Sequence, residues 1–140
     1  MHVRVIAVGK LREPYLIAAA DDFRRRLRPY HRIEEVEVRD DAAILRQLAP
    51  HDHVWLLERT GTMFSSPELA QRFEQLALEG TSDLTFVVAG TFGASPELLE
   101  RANVRWSLSP LTFLHEWARV IVLEQLYRAA KIAKNEPYHH

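Results

Sequence analysis

His115 and Arg119 stand one helical turn apart within a long apolar segment of the chain. An imidazole and a guanidinium on one helix face can hold a planar base, pass a proton, or stabilise negative charge that develops on a substrate. From Leu114 to Ala133 there is no Gly or Pro, strong helix formers fill most positions, and Asn135 and Pro137 mark an end. The spacing therefore predicts one long helix. On its wheel Glu124, Arg128 and Lys131 form a single narrow polar stripe, and Ala118, Val120, Val122, Leu123, Leu126, Ala129 and Ala130 make up much of an apolar arc. His115 and Arg119 fall inside that arc, where a cation does nothing for packing. Two explanations stand at this point: a functional site, or side chains in the first turns that snorkel past the end of a sheet. A helix so apolar needs cover on two sides. A sheet supplies one, and a second copy of the chain is the expected other, giving a symmetric dimer; the alternative is a helix wrapped within one domain.

The elements that must carry this helix follow from the rest of the pattern. His2 to Val8 alternates and is rich in Val and Ile, which reads as a strand running into Gly9. Pro14 to Arg28 reads as a helix, Ile33 to Val38 as a strand, Asp41 to Leu48 as a short helix, and His53 to Leu57 as a buried strand. Ser65 with Glu68 fits a capping box, or Ser66 is the cap with Pro67 at the first helical position; either opens a helix to about Glu79 that Gly80 ends. Leu84 to Ala89 is a fourth strand, Ser95-Pro96-Glu97 starts a short helix, and Val104 to Leu108 is a fifth strand. Alternation of this kind predicts an α/β fold: a mainly parallel sheet with helices on both faces.

Gly9, Gly61, Gly90 and Gly93 each come just after one of these strands. In open α/β sheets the carboxyl edge is where ligands bind, and glycine there lets backbone approach a ligand closely, so a small-molecule pocket is expected at this edge. Neither a GxGxxG fingerprint nor a GxxxxGK[ST] loop is present, and no GxSxG elbow occurs. His51-x-His53 and His139-His140 lack partners at metal-ligand spacing, so no metal site is expected. Arg12, Arg24, Arg25, Arg26, Arg28 and Arg32 are the best local candidates for phosphate contacts, although a solvated helix end explains most of them.

The chain has 140 residues, 47% of them hydrophobic, which suits a single domain over 1–140 with its own core. Its net charge of -1 excludes a broad, non-specific nucleic-acid binder. No apolar run spans a membrane, no signal peptide is evident, and the absence of cysteine excludes a disulfide framework, so a soluble cytoplasmic protein without membrane partners is expected.

The run Trp106-Ser107-Leu108-Ser109-Pro110-Leu111-Thr112-Phe113-Leu114-His115, then Arg119, Glu124-Gln125-Leu126-Tyr127-Arg128-Ala129 and Pro137-Tyr138-His139, resembles the RlmH-type ribosomal RNA methyltransferases of the SPOUT superfamily. Ala7-Val8-Gly9, Leu56-Leu57-Glu58 and Ser65-Ser66 extend the resemblance over nearly the whole chain. It implies a homodimer with a C-terminal trefoil knot, S-adenosylmethionine as methyl donor, and N3 of a pseudouridine in a large-subunit rRNA stem-loop of the assembled ribosome as acceptor. Position by position it implies a cofactor pocket of Leu57, Ala89, Gly90, Leu108, Ser109, Pro110, Leu111, Thr112 and Phe113, with His115, Arg119, Tyr138 and His139 near the target base. Arg119 is then the candidate cation for the uridine anion, and His115 orients the base or relays its proton. Departures from the family pattern are Ala89 and Phe92 in the glycine loop, Leu114 in place of a usual Pro, and a short segment between Val38 and His53. The competing functions are a ribosome-associated binding protein of the same fold that has lost its cofactor, and methylation of another RNA position.

Overall fold

The structure is a computed structural model that describes residues 1–139. Five strands and five helices alternate: β1 (His2–Val8), α1 (Pro14–Leu27), β2 (Arg32–Val38), α2 (Asp41–Gln47), β3 (His53–Thr62), α3 (Ser66–Leu78), β4 (Asp83–Val88), α4 (Pro96–Arg101), β5 (Val104–Trp106) and α5 (His115–Ala133). Local chemistry sets the helix starts. Ser65 is the N-cap of α3, its hydroxyl taking the Glu68 N–H while the Glu68 carboxylate takes the Ser65 N–H, a reciprocal cap that contributes about 1 kcal/mol. Asp40 and Ser95 cap α2 and α4 through their own side chains.

The strands form one parallel sheet in the order β2-β1-β4-β3-β5. Strand alternation divides the core. Val3, Val5 and Ala7 of β1, with Leu84, Phe86 and Val88 of β4, point toward α1, α3 and α5. Ile6 and Val87 point the other way, toward Ile44 of α2 and Leu98 of α4. Under α3 and the end of β5 lies an aromatic cluster in which Trp55 meets Phe73 at 5.2 Å, Trp106 at 5.7 Å and Phe86 at 6.0 Å between ring centroids.

Helix α5 lies between α1 and α3 and across β4, so both of its covers come from its own chain. Val122 and Leu123 are fully buried in this setting. Most of the apolar arc of α5 is therefore covered within one chain, while Trp117 stays exposed. A further difference concerns β3, expected to stop at Leu57 but continuing to Thr62, with a register break that brings both Leu57 and Thr62 opposite Trp106. Gly61 permits that crossing, because a Cβ there would collide with the Arg105 carbonyl. This glycine serves backbone packing rather than ligand approach. Helix α2 has only seven residues, in keeping with the short segment before His53.

Candidate methyl-transfer cleft at the carboxyl edge

The middle of β3 and the loops after β4 and β5 meet around a cleft of about 640 Å³. Of the residues expected to hold a cofactor, Leu57, Ala89, Gly90, Leu108, Ser109, Leu111, Thr112 and Phe113 line it; Pro110 stands outside the lining. The 107–114 loop is held by its own polar groups. The Ser107 hydroxyl donates to the Arg59 carbonyl at 2.7 Å, the Ser107 N–H donates to the Thr62 carbonyl at 2.8 Å, and the Leu111 N–H donates to Ser109 Oγ at 3.0 Å. Arg59 Nη1 donates to Thr112 Oγ1 at 3.1 Å and ties β3 to the loop after β5.

The lining suits an adenosine-sized group. Leu57, Val88, Ala89, Leu108, Leu111 and Phe113 offer apolar walls. Among the described residues, the backbone N–H groups of Leu108, Thr112 and Phe113 have no acceptor in the protein, leaving donors free for a ligand's polar edge. Phe92 is fully exposed and does not enter the lining, so this departure from the family pattern leaves the cleft open.

His115 is the one member of the expected base-contacting set that lines the cleft, and it also abuts Gly9, where a Cβ would stand 3.8 Å from its Nε2. The loop after β1 is fastened beside it by carboxylates. Glu116 Oε1 accepts from the Arg12 N–H at 2.5 Å, and that bond, with a second from Glu13, holds its carboxyl below the ordinary range. Glu37 accepts from the Leu11 N–H at 2.8 Å and from Arg119 Nη1 at 2.8 Å. Burial pushes Glu37 up, but the Arg119 and Leu11 bonds and nearby positive charge outweigh it and leave its pKa lowered.

Arg119 is only 3% exposed and is paired with Glu35 at 3.4 Å as well as Glu37. It does not line the cleft, and it does not snorkel. Its Nε has no partner among the described residues. Tyr138 and His139 also lie away from their own chain's cleft. The tail turns back at Asn135, whose φ is 53°, and lies along the polar stripe of α5. Tyr138 packs edge-on against Tyr127 at 4.8 Å, its hydroxyl donates to Glu124 at 3.3 Å, and Arg128 sits 4.7 Å over its ring. His139 Nδ1 lies 3.1 Å from Arg128 Nη1. His140 lies outside the described residues.

Other sequence candidates find different uses. Arg24 pairs with Asp21 and Glu35, and Arg25 and Arg26 pair with Asp22, so acidic neighbours offset the charge of these three arginines. At the opposite edge of the sheet His51, Asp52 and Asp83 converge, but Asp52 is held by Arg4 at 2.9 Å and by the Ala49 N–H at 2.7 Å. Asp83 is bonded to His2 and Ser82, which lower its pKa. Sequence reasoning missed Glu58 and Arg59 as cleft residues, although both directly follow Leu57.

A parallel five-stranded sheet with its cleft at the carboxyl edge and a closing helix over β4 defines the class: residues 1–139 match the family model described as "Predicted SPOUT methyltransferase", and the chain belongs to that family. Within it, the chain is 40% identical to the ribosomal RNA large subunit methyltransferase H of Natranaerobius thermophilus, over 100% of both proteins. It is 44% identical to the protein of the same name from Gloeobacter violaceus, over 100% of this chain and 99% of that one. These matches bear out the RlmH-type resemblance. Among solved structures, the A. aeolicus TrmH/SpoU tRNA modifying enzyme superposes with a TM-score of 0.51 over 95% of this chain and 77% of that one; at 13% identity the likeness concerns the fold.

Proposed function

We propose that this chain methylates N3 of a pseudouridine in a stem-loop of large-subunit (23S) rRNA on the assembled ribosome, using S-adenosylmethionine, as a cytoplasmic homodimer with the C-terminal trefoil knot that the family resemblance implies. The observation that carries the reading is the cleft, where eight of the nine expected cofactor residues and His115 come together at the sheet's carboxyl edge. The names of its relatives supply the substrate class. No helix among the described residues is long and apolar enough to cross a membrane.

In this reading the Leu57, Ala89-Gly90 and Leu108 to Phe113 segments hold the nucleoside part of the cofactor by apolar walls and free backbone donors. When bound, that group supplies an electrophilic methyl on a sulfonium centre. The protein's work is then to align N3 with that methyl and to remove the N3 proton. His115 is placed to hold the base edge and to take that proton at Nε2. Arg119 acts through Glu37, which fastens Leu11 next to Gly9 and so fixes the wall against which His115 rests. Tyr138 and His139, remote from their own cleft, complete the site of the opposite copy.

The test is methyl transfer from labelled S-adenosylmethionine to ribosomes of a strain lacking this protein, followed by mass spectrometry of the rRNA. One methyl on one 23S pseudouridine is the expected result. A methyl elsewhere overturns the stated target, and the absence of saturable cofactor binding by calorimetry overturns the enzyme in favour of the ribosome-binding protein.

A further inference from the structure

A second cleft, of about 500 Å³, lies next to the first and is lined by Thr60, Gly61, Thr62, Phe64, Arg72, Asn103, Val104 and Arg105. Two guanidiniums and, among the described residues, no carboxylate line it. Arg4, Arg24, Arg25, Arg26, Arg39, Arg119 and Arg128 form ion pairs elsewhere in the molecule, and the other arginines without one among the described residues, such as Arg12, Arg28 and Arg46, do not line this cleft. Neither Arg72 nor Arg105 has an acidic partner among the described residues. Arg72 rests 5.6 Å over the Phe64 ring, and Arg105 gives one N–H to the Leu99 carbonyl at 3.2 Å. Each keeps donors to spare. Asn103 commits its carbonyl oxygen to the Val54 N–H at 2.8 Å, which leaves its amide nitrogen as a further donor. Thr60, Thr62, Arg72, Asn103 and Arg105 are all exposed.

The same strand walls both clefts. Glu58 and Arg59 line the first, and Thr60, Gly61 and Thr62 line the second. Successive strand residues advance by about 3.3 Å, so an extended chain of substrate can occupy both at once. Their relation is fixed by the Ser107 bonds to the carbonyls of Arg59 and Thr62 and by the close passage of Gly61 over Arg105.

We propose that this second cleft is a phosphate-binding subsite in which Arg72 and Arg105 grip the RNA backbone flanking the nucleotide held in the first. Guanidiniums bind phosphate oxygens through paired donors, and an open, exposed, carboxylate-free cleft suits a backbone phosphate of a strand lying over the surface. The inference rests on the proposed function for the identity of the RNA. It explains how a chain of net charge -1 engages a polyanion: its positive potential is local.

The test compares the wild-type protein with the Arg72→Ala/Arg105→Ala double variant, using large ribosomal subunits from a strain lacking the protein. The KM for subunits should rise by at least about tenfold while kcat and the S-adenosylmethionine Kd stay within about twofold. Co-sedimentation across a salt series should show a shallower dependence, by about 0.7 in log-log slope for each phosphate that the protein no longer grips. Arg72→Ala alone, which disturbs no backbone hydrogen bond, should shift both quantities in the same direction, and Arg72→Lys should restore part of the slope. Unchanged KM and slope in the double variant, at an unchanged melting temperature, overturn the subsite. So does saturable binding of inorganic phosphate that subunits fail to displace, which marks a free-anion site. If the wild-type protein binds subunits but transfers no methyl group, the proposed function fails while co-sedimentation still decides the subsite; if it binds no subunits, both fail.

Discussion

Gly61 and Gly90 both follow strands, yet their surroundings give them opposite tolerance. A Cβ at Gly61 would strike the Arg105 backbone, which cannot yield without parting β3 from β5, so Gly61→Ala should cost about 1–3 kcal/mol and lower the melting temperature. At Gly90 the nearest atom to an added Cβ is Val8 Cγ1 at 3.5 Å, an ordinary contact. A methyl group is thus accommodated, and Gly90→Val, which adds bulk at a residue lining the cleft, should raise the S-adenosylmethionine Kd by at least about tenfold, or about 1.4 kcal/mol; Thr112→Arg should do the same. Calorimetry beside thermal melts reads both effects, and unchanged affinity in either cleft variant removes this cofactor site. His31 carries a prediction of another kind. Burial, with the nearby N-terminal amine, lowers its pKa from 6.5 to about 4. The unfolded state therefore binds a proton over a range where the folded state does not, so this contribution to stability is complete above pH 6.5 and is lost as pH falls toward 4. Urea midpoints should drop between pH 6.5 and 4.5, and less so in His31→Gln. Parallel pH profiles for the two proteins would refute the assignment.

Among the elements, α5 shows what periodicity reveals and what it conceals. Its length, its end near Asn135 and its apolar arc were legible because each depends on residues within a few turns of one another. The partners of Arg119 were not, since Glu35 and Glu37 reach it from β2, more than eighty residues earlier, and only the sheet order places them there. The same limit hid Arg72 and Arg105, far apart in sequence but on one cleft, while the conspicuous arginine run of α1 proved to be paired. Gly61 reads as a residue just after a strand that ends at Leu57, so the extension of β3 was missed; its glycine is required by a neighbouring strand. The cofactor loops were placed by resemblance, and the carboxyl edge by the glycines after β1 and β4. The buried cation yields a direct prediction. Arg119→Met leaves Glu37 without its cation and Glu35 with Arg24 alone, and should cost up to about 3 kcal/mol, part of which returns when Glu37→Gln is added. If Arg119→Met instead abolishes methyl transfer at an unchanged melting temperature, Arg119 contacts the substrate and the positioning role assigned through Glu37 is wrong.

At the scale of the whole molecule the question is where the tail acts. Within one chain Tyr138 and His139 are fastened to Glu124 and Arg128, on the far half of α5 from His115, and they leave their own cleft unlined. Tyr138 packs on Tyr127 and against the core cluster there, so the role proposed for the tail across an interface has to be separated from a local structural one. Deleting Tyr138, His139 and His140 should leave cofactor binding near normal and lower methyl transfer to ribosomes by at least about tenfold, a barrier change of about 1.4 kcal/mol. Mixing that truncated chain with a Gly90→Val chain then separates action within a chain from action between chains. The truncated chain has an intact cleft and no tail; the Gly90→Val chain has a tail and a blocked cleft. If the tail serves the opposite copy, one site of each mixed dimer pairs the intact cleft with the intact tail, and two nearly inactive proteins regain activity on mixing. If the tail serves its own cleft, every site of the mixture lacks one part and activity stays at the level of the two variants alone. Full activity of the truncated protein by itself would show that the tail has no part in the reaction, and light scattering that finds only monomer at assay concentrations would remove the second copy from the site altogether.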